Sequence, residues 1–564
     1  MELIYLYIEK YRTFEKAEFN FSSRVHLHYD QKNKKLKDRQ IETALPIDFW
    51  GGNIKDLMMI VGNNGAGKTS LMQYILCIFE NLIRKNNEPD CGYGILALRE
   101  EKKIYYYECS SETMHSGIKV KFEYCKEFTA EKAGADKMLQ LCRSLKIVYL
   151  TNALSQEDYK RNTQMRCDRL GLIYDCSLGG LIYENSRKDA NQELHRDMVE
   201  ISEMQPYFLY EQYKQVKFIF DKNQYQILQN LKEKGYPVPL PQRLYINLLL
   251  GIQLSFLVHN PNYDTDVLHR FDKNLFPCEW IKIEYQKKHS NRQRVSKEER
   301  EKAYASYILR YHFSRCCIWG MLSSIARRFK DEQMDLLWRK LVNGELVAGV
   351  EPCDFRLICD NIWRTCEEIV KMEPLKKDDE WINFKNYCIP QYDEFLSFVE
   401  NEPLEEHFVM EDPVDKILTV MGDLETIHLS VSTDDAEWFM EFLEKYRYAA
   451  NPDYFIDFHW GLSSGETNLL STFASFYYIF ANDYTNERHG DYEIFNRWYE
   501  KKFEKCDSVI LLADEVDLTF HPEWQRELIS LFTAFLTQIY PTSCCKNIQV
   551  IMSTHSPLLL GDIP

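Results

Sequence analysis

Residues 57–69 read Leu57-Met58-Met59-Ile60-Val61-Gly62-Asn63-Asn64-Gly65-Ala66-Gly67-Lys68-Thr69. The five apolar residues at the start are the continuous run of a strand buried on both faces. Gly62–Thr69 satisfies G-x-x-x-x-G-K-[ST], and a helical pattern opens at once and runs to about Ile83. Strand, tight loop and helix start are the context in which that motif works. The glycines let successive backbone N–H groups turn inward around an anion, and the helix N-terminus adds the positive end of its dipole. On this reading Asn63, Asn64, Gly65, Ala66, Gly67, Lys68, Thr69 and Ser70 cradle phosphates. Lys68 reaches the β- and γ-phosphates, and the Thr69 hydroxyl binds Mg²⁺.

A second informative region lies about 400 residues on. Ser508-Val509-Ile510-Leu511-Leu512-Ala513 is an apolar strand that ends in Asp514-Glu515. Beside a phosphate loop, a carboxylate at a strand end holds Mg²⁺ and its neighbour takes a proton from the attacking water. Asp514 suits the metal and Glu515 the base, with ATP as the substrate. Leu462-Ser463-Ser464-Gly465-Glu466 opens the helical run Asn468–Phe480, a second helix N-terminus suited to phosphate. Ile548–Met552 is a further strand, and Ser553-Thr554-His555-Ser556-Pro557 comes directly after it. His555 at a strand end can sense the γ-phosphate or orient the water. Lys68, Glu515 and His555 are thus the expected catalytic set.

The surroundings constrain this reading. With 564 residues the chain predicts roughly two to four structural units. Its composition, 45% hydrophobic and 27% charged, is that of a folded protein with a large core. The first twenty-one residues predict two strands joined around Tyr11 to Phe14, with a lysine-rich hairpin or loop after them to about residue 45. Tyr93 to Phe128 alternates like antiparallel strands, and Leu145–Leu150 predicts another buried strand. From 190 to 400 the pattern is of amphipathic helices broken at Pro206, the 237/239/241 cluster, Pro261, Pro277, Pro352 and Pro390. Residues 416–420 and 426–431 return to strand character, and a helix is expected from Asp434 to Tyr448.

Seventeen cysteines without a C-x-x-C predict reduced thiols in a cytoplasm. Cys353, Cys359 and Cys366 fall within a helix-period apolar pattern and predict core thiols, with zinc the alternative. The longest apolar run, Leu244–Val258, carries Asn247, Gly251 and Gln253 and falls short of the ~20 residues a membrane span needs. It predicts a buried helix and no membrane role. A net charge of −17 excludes a surface built throughout for nucleic acid. Two basic segments, Lys32/Lys34/Lys35/Lys37/Arg39 and Lys287/Lys288/Arg292/Arg294/Lys297, are either solvated faces or local phosphate-backbone contacts.

In order along the chain, Gly62–Thr69, Leu462–Glu466, Asp514 with Glu515, Asp517 and His555 resemble the Walker A, signature, Walker B, D-loop and switch-histidine series of ABC-type ATPases. Ile8–Phe14, Ala513–Gln525 and Ser553–Pro564 resemble the RecF, SMC and OLD-like heads more than membrane transporters. The resemblance implies an α/β fold: an ABC-type P-loop NTPase head, a mixed sheet with an antiparallel β-lobe, interrupted by a large, mostly helical insertion. The expected divisions are 1–155, 156–455 and 456–564. It further implies that Arg12 touches the phosphates, that Asp517 borders the nucleotide, and that Ser463, Ser464, Gly465 and Glu466 meet the γ-phosphate of a second copy in a homodimer or higher oligomer. Asn152 or Gln156 would fill the magnesium-contacting glutamine role. At least one further strand is expected after His555.

The compact insertion resembles the PtuA-type ATPases of Septu anti-phage systems, which work with a separate HNH nuclease and also occur with retrons. That implies a cytoplasmic defence ATPase with a nuclease partner. A RecF/SMC-like DNA repair or maintenance ATPase, binding nucleic acid itself, is the alternative. A scaffold in which ATP only holds the dimer together is the third.

Overall fold

The structure is a computed structural model that describes residues 1–39, 45–46, 49–63, 65–84, 92–109, 120–123, 127–151, 172–177, 204–249, 275–277, 279–289, 296–326, 328–372, 378–420, 426–450, 456–480, 506–518, 520–540 and 545–562. In chain order the N-terminal part forms β1 (Glu2–Tyr11), β2 (Phe14–Asn20), β3 (His26–Asp30), β4 (Lys35–Arg39), β5 (Ile54–Val61), α1 (Lys68–Arg84), β6 (Gly94–Glu100) and β7 (Lys103–Cys109). Then come β8 (Lys121–Phe122), β9 (Thr129–Lys132), α2 (Ala135–Leu141), β10 (Leu145–Thr151) and β11 (Ile173–Ser177).

Residues from Met204 onward are mostly helical: α3 (Met204–Phe220), α4 (Lys222–Glu233), α5 (Glu279–His289), α6 (Lys297–Ala326), α7 (Asp331–Val342), α8 (Phe355–Met372), α9 (Asp378–Asn401), α10 (Leu404–His407), α11 (Val414–Val420) and α12 (Ala436–Ala450). Threaded among them, β12 (Arg243–Leu249), β13 (Phe408–Met410), β14 (Thr426–Ser432) and β15 (Ile456–His459) make an antiparallel sheet in the order β13-β14-β12-β15. The chain continues through α13 (Ser464–Phe480), β16 (Ser508–Asp514), α14 (Pro522–Ile539) and β17 (Asn547–Thr554).

The sheet that positions the site is parallel throughout, in the order β11-β10-β16-β17-β5. Its strands alternate side chains between two cores, as the period of two demands. Ile147, Tyr149, Ile510, Leu512 and Ile551 pack with α1, α2 and the inner residues of β1. Val148, Leu150, Val509, Leu511, Val550 and Met552 face the opposite way, into the core that also takes in the helices. Outside α1 lies the sheet β2-β1-β6-β7-β9, whose outer face packs on the small sheet β3-β4-β8. Buried on both faces, β10 and β16 show no exposed residue, as their apolar runs predicted.

Four expectations need correction. First, β5 is only partly buried: Leu57 and Met59 pack on one core and Ile60 on the other, but it borders only β17 among the described strands, Met58–Ile60 are half-buried and Val61 is exposed. Second, the start of the Leu244–Val258 run is strand β12, not helix. Leu244, Ile246 and Leu248 are buried while Tyr245 and Asn247 are half-buried between them, a two-residue alternation that the apolar content hid. Residues 250–258 lie outside the described residues. Third, Lys416–Val420 belongs to helix α11. Pro413 stands just ahead of it, with its carbonyl accepting from the Lys416 and Ile417 amides, the N-terminal proline signature that outweighs the β-branched content. Fourth, Pro390 does not break α9, which runs straight through it. Trp381, Phe384 and Cys388 before it and Tyr392, Phe395 and Leu396 after it are all buried, so packing on both sides offsets the hydrogen bond that the proline removes. Pro206 likewise sits inside the first turn of α3, where no helical N–H bond is lost.

Phe355, Ile358, Ile362, Cys366 and Ile369 are buried on one face of α8, as the periodicity predicted, and burial pushes the Cys359 and Cys366 thiols up. No helix among the described residues is long and apolar enough to cross a membrane.

The close fit of β6 against α1 is testable at Gly94. A Cβ there would stand 2.9 Å from the Tyr7 carbonyl oxygen and run into the Tyr74 hydroxyl. Gly94→Ala is expected to cost about 1–3 kcal/mol through overpacking. Gly134→Ala, where a Cβ meets nothing within 4 Å, should leave the melting temperature close to that of the parent. Equal midpoints for the two variants in a calorimetric melt would refute the tight packing.

Candidate nucleotide site

The loop between β5 and α1 turns because Gly65 (φ +80°) and Gly67 (φ +91°) take left-handed backbone. A Cβ on Gly67 would lie 2.8 Å from the Phe14 ring and 3.0 Å from the Thr13 hydroxyl. The loop therefore rests directly on the β1–β2 turn. That turn carries Arg12, itself left-handed at φ +50°. Its guanidinium donates to the side chain of Gln73, one helical turn after Thr69, and lies 5.1 Å from the Tyr11 ring centroid. Arg12 thus stands beside the loop. Ala66 closes the turn through its amide to the Asn63 carbonyl (3.1 Å), and the Leu71 amide to the Gly67 carbonyl (2.9 Å) starts the helix.

Lys68 is buried and held from several sides. Its Nζ donates to the carbonyls of Gly62 (2.9 Å) and Asn63 (3.4 Å), contacts the His555 ring at 2.9 Å, and stands 3.7 Å from Glu515 Oε1. His555 Nε2 lies 2.6 Å from the same Glu515 oxygen. The structure thus brings Lys68, Glu515 and His555 into one contact group. Glu515 reaches it from a left-handed backbone (φ +52°), a conformation costly for a residue with a Cβ and concentrated at functional sites. Its amide is held by the Ser553 carbonyl at 3.1 Å.

Asp514 is buried at the end of β16 and accepts hydrogen bonds from the hydroxyls of Thr69, Ser553 and Tyr149. Burial pushes its carboxyl up and these donors pull it back, with the net direction upward. A hydroxyl and a carboxylate side by side are hard oxygen donors that fit Mg²⁺. Asp517 is buried too, accepting from Thr554 Oγ1 at 2.7 Å, and burial again raises it. Gln525 of α14 donates to the Asp517 and Phe520 carbonyls and accepts from Ser556, which ties this turn to the segment bearing His555.

Ser463 to Glu466 is not part of this cluster. It forms a capping box on α13: the Ser463 amide and hydroxyl donate to Glu466 at 2.9 and 2.7 Å, and the Glu466 amide returns to the Ser463 hydroxyl. The Ser463 amide holds the Glu466 carboxyl below its ordinary range, with the hydroxyl adding to it. Among the described residues, the hydrogen bonds of this segment stay within α13 and its cap. Ser463 and Ser464 are exposed. Asn64, Asn152 and Gln156 lie outside the described residues. Of the second basic segment, Lys287, Lys288 and Lys297 pair with Glu351, Glu284 and Glu301, and 292 and 294 lie outside the described residues.

Sequence reasoning gave no role to Ser553, Thr554, Tyr149, Gln73 or Gln525. The signal for the first two was present, since two hydroxyl residues precede His555 where an apolar strand would otherwise continue.

Residues 503–561 match the family described as "AAA domain, putative AbiEii toxin, Type IV TA system". This stretch contains Asp514, Glu515, Asp517 and His555. Over that stretch the chain is similar to an AAA-type ATPase domain. Over 54 residues the chain is 43% identical to the "Retron Vc95 probable ATPase" of Vibrio cholerae, covering 10% of this chain and 9% of that one. Over 128 residues it is 25% identical to the cytochrome c biogenesis ATP-binding export protein CcmA of Pasteurella multocida, covering 21% of this chain and 57% of that one. The chain thus spans about a tenth and little more than half of these two relatives.

Asp517 permits a test with a defined sign. A carboxyl raised by burial stabilises the fold while protonated; that contribution is fully present below the ordinary pKa of about 3.9 and is lost as pH rises through the raised value. At neutral pH the buried carboxylate is therefore a cost. Asp517→Asn, which still accepts from Thr554, is expected to melt higher than the parent at pH 7, with the gap narrowing as pH falls toward 4. A gap that widens on acidification would contradict this.

Proposed function

We propose that the chain is an ABC-type ATPase that dimerises around ATP and regulates a partner effector, a nuclease, in anti-phage defence. The observation that carries the catalytic part is the contact of Glu515 with both His555 (2.6 Å) and Lys68 (3.7 Å) at the mouth of the phosphate loop. A carboxylate there accepts the proton of the attacking water, and His555 fixes that carboxylate's position. Lys68 exchanges its carbonyl partners for phosphate oxygens, and Asn63–Ser70 supplies the backbone donors of the cradle. Thr69 and Asp514 would hold Mg²⁺, which when bound would supply charge neutralisation at the phosphates.

Dimerisation is supported by the position of Ser463–Glu466. This capped helix N-terminus is suited to phosphate yet stands outside its own chain's cluster, so a second copy is the partner that gives it one. The defence reading is supported by the retron ATPase relative, and the nuclease partner by the resemblance to PtuA-type ATPases.

Lys68→Ala is expected to lose nucleotide binding. Glu515→Gln should keep binding, lose hydrolysis by on the order of 10²–10⁴-fold, and accumulate as an ATP-bound dimer in size-exclusion chromatography with light scattering. A monomer that hydrolyses ATP at full rate would sink the composite site. Unchanged function in Glu515→Gln would favour the scaffold. Purification with native partners and mass spectrometry should recover a nuclease.

The RecF/SMC-like reading retains one observation: Lys32, Lys34, Lys35 and Arg39 of the β3–β4 hairpin are exposed. It predicts salt-sensitive DNA binding that falls when these residues are changed to glutamate.

A further inference from the structure

The two strands that carry Asp514 and Thr554 begin beside a pair of thiols that the nucleotide site does not use. Ser508 and Asn547 are register partners in β16 and β17. The pairing continues behind them, because the Asp507 carbonyl accepts from the amides of Lys546 (3.2 Å) and Asn547 (3.0 Å), and the Lys546 side chain pairs with Asp507 at 2.8 Å. One step further back on each chain stand Cys506 and Cys545. Neighbouring strands run about 4.8 Å apart, inside the roughly 4.4–6.8 Å Cα separation over which a disulfide closes without backbone movement. The side chains already meet, as the Cys506 thiol donates to the Cys545 sulfur. Both are free thiols, and both are buried.

One buried cation bears on the pair, as Lys146 acts on Cys506. The hydrogen bond from Cys506 holds the Cys545 thiol below its ordinary pKa, although that thiol itself donates to the Asn547 carbonyl at 3.3 Å. A lowered thiol beside a resolving thiol is the pairing found in redox-sensitive cysteines, here enclosed rather than open to solvent. Cys142 and Cys366 differ: burial is the main cause that pushes Cys142 up to about 12 and raises Cys366.

We propose that Cys506 and Cys545 form a redox modification site, in which a small hydroperoxide oxidises Cys545 and Cys506 resolves the product to a disulfide. The Cys545 thiolate attacks the peroxide oxygen, the O–O bond breaks, and the departing oxygen takes a proton and leaves as alcohol or water. Cys506 sulfur then attacks the sulfenic sulfur. The S–S bond forms, the S–O bond breaks, and hydroxide leaves with the Cys506 proton as water. The two thiols together supply the two electrons that reduce one hydroperoxide. Burial keeps protein-sized oxidants away and selects for small ones. The cross-link ties together the feet of the two strands whose far ends carry the buried acids and hydroxyls of the nucleotide site.

Full-length protein is treated with graded hydrogen peroxide, alkylated and digested, and its thiols and cross-links are mapped by mass spectrometry. A peptide joining Cys506 to Cys545 is expected at doses that leave Cys142 and Cys366 reduced, and dithiothreitol should reverse it. In Cys506→Ser the cross-link is lost and Cys545 is captured by dimedone as the sulfenic acid. Recovery of Cys506 and Cys545 as free thiols when Cys142 and Cys366 are oxidised would overturn the proposal, as would a cross-link from Cys545 to Cys544. If Cys506→Ser fails to fold, the map of the parent protein decides alone.

Discussion

The register between β16 and β17 fixes where the chemical groups of the site stand. Asp514 is level with Ser553, so the buried carboxylate receives a hydroxyl from the facing strand. One residue on, the Glu515 amide is captured by the Ser553 carbonyl, which swings its side chain toward Lys68 and His555. Thr554 then meets Asp517. A slip of one residue would present apolar Met552 to Asp514 and turn alternate side chains to the wrong core. The same strand fixes its other neighbour, since Thr554 is level with Val61 at the mouth of the phosphate loop.

That arrangement places three carboxylates within a few residues, two of them buried. Burial disfavours the charge on Asp514 and Asp517, and hydroxyl donors from Thr69, Ser553, Tyr149 and Thr554 offset part of that cost. Glu515 is solved differently, by a cation and an imidazole. Polar groups oriented in advance stabilise developing charge without reorganising when the reaction occurs. The cost appears in the fold as raised acids and as a glutamate in left-handed backbone. Such local expense at one spot, among largely apolar strands, is the usual signature of a site selected for function rather than for stability.

Much of this was legible in the sequence because the signals are local. The run Leu57–Val61, the glycine spacing to Lys68, and the acids that end the Ser508–Ala513 run each declare an element and its boundary. Four features resisted, for three reasons. Strand β12 lay inside a longer apolar run, whose content masked the alternation of Leu244, Ile246 and Leu248. Helix α11 is short, and Pro413 mattered more than the composition of the segment. The hydroxyls of Ser553 and Thr554 take their meaning from register, a non-local quantity that no window of residues contains. The edge position of β5 is of the same kind, since strand order depends on partners far away in the chain.

That distance has a consequence for synthesis. Lys68 and His555 are 487 residues apart, and the Leu3 amide is held by the side chain of Gln549 at a separation of 546. The phosphate loop leaves the ribosome early, but β17, the described neighbour of its strand, emerges on the order of a minute later at roughly 5–20 residues per second. Until then the apolar faces of β5 and β1 lack their partner. A nascent chain of this protein carries Lys68 and its loop without His555 for the 487 residues between them, and the contact group closes only once β17 has emerged.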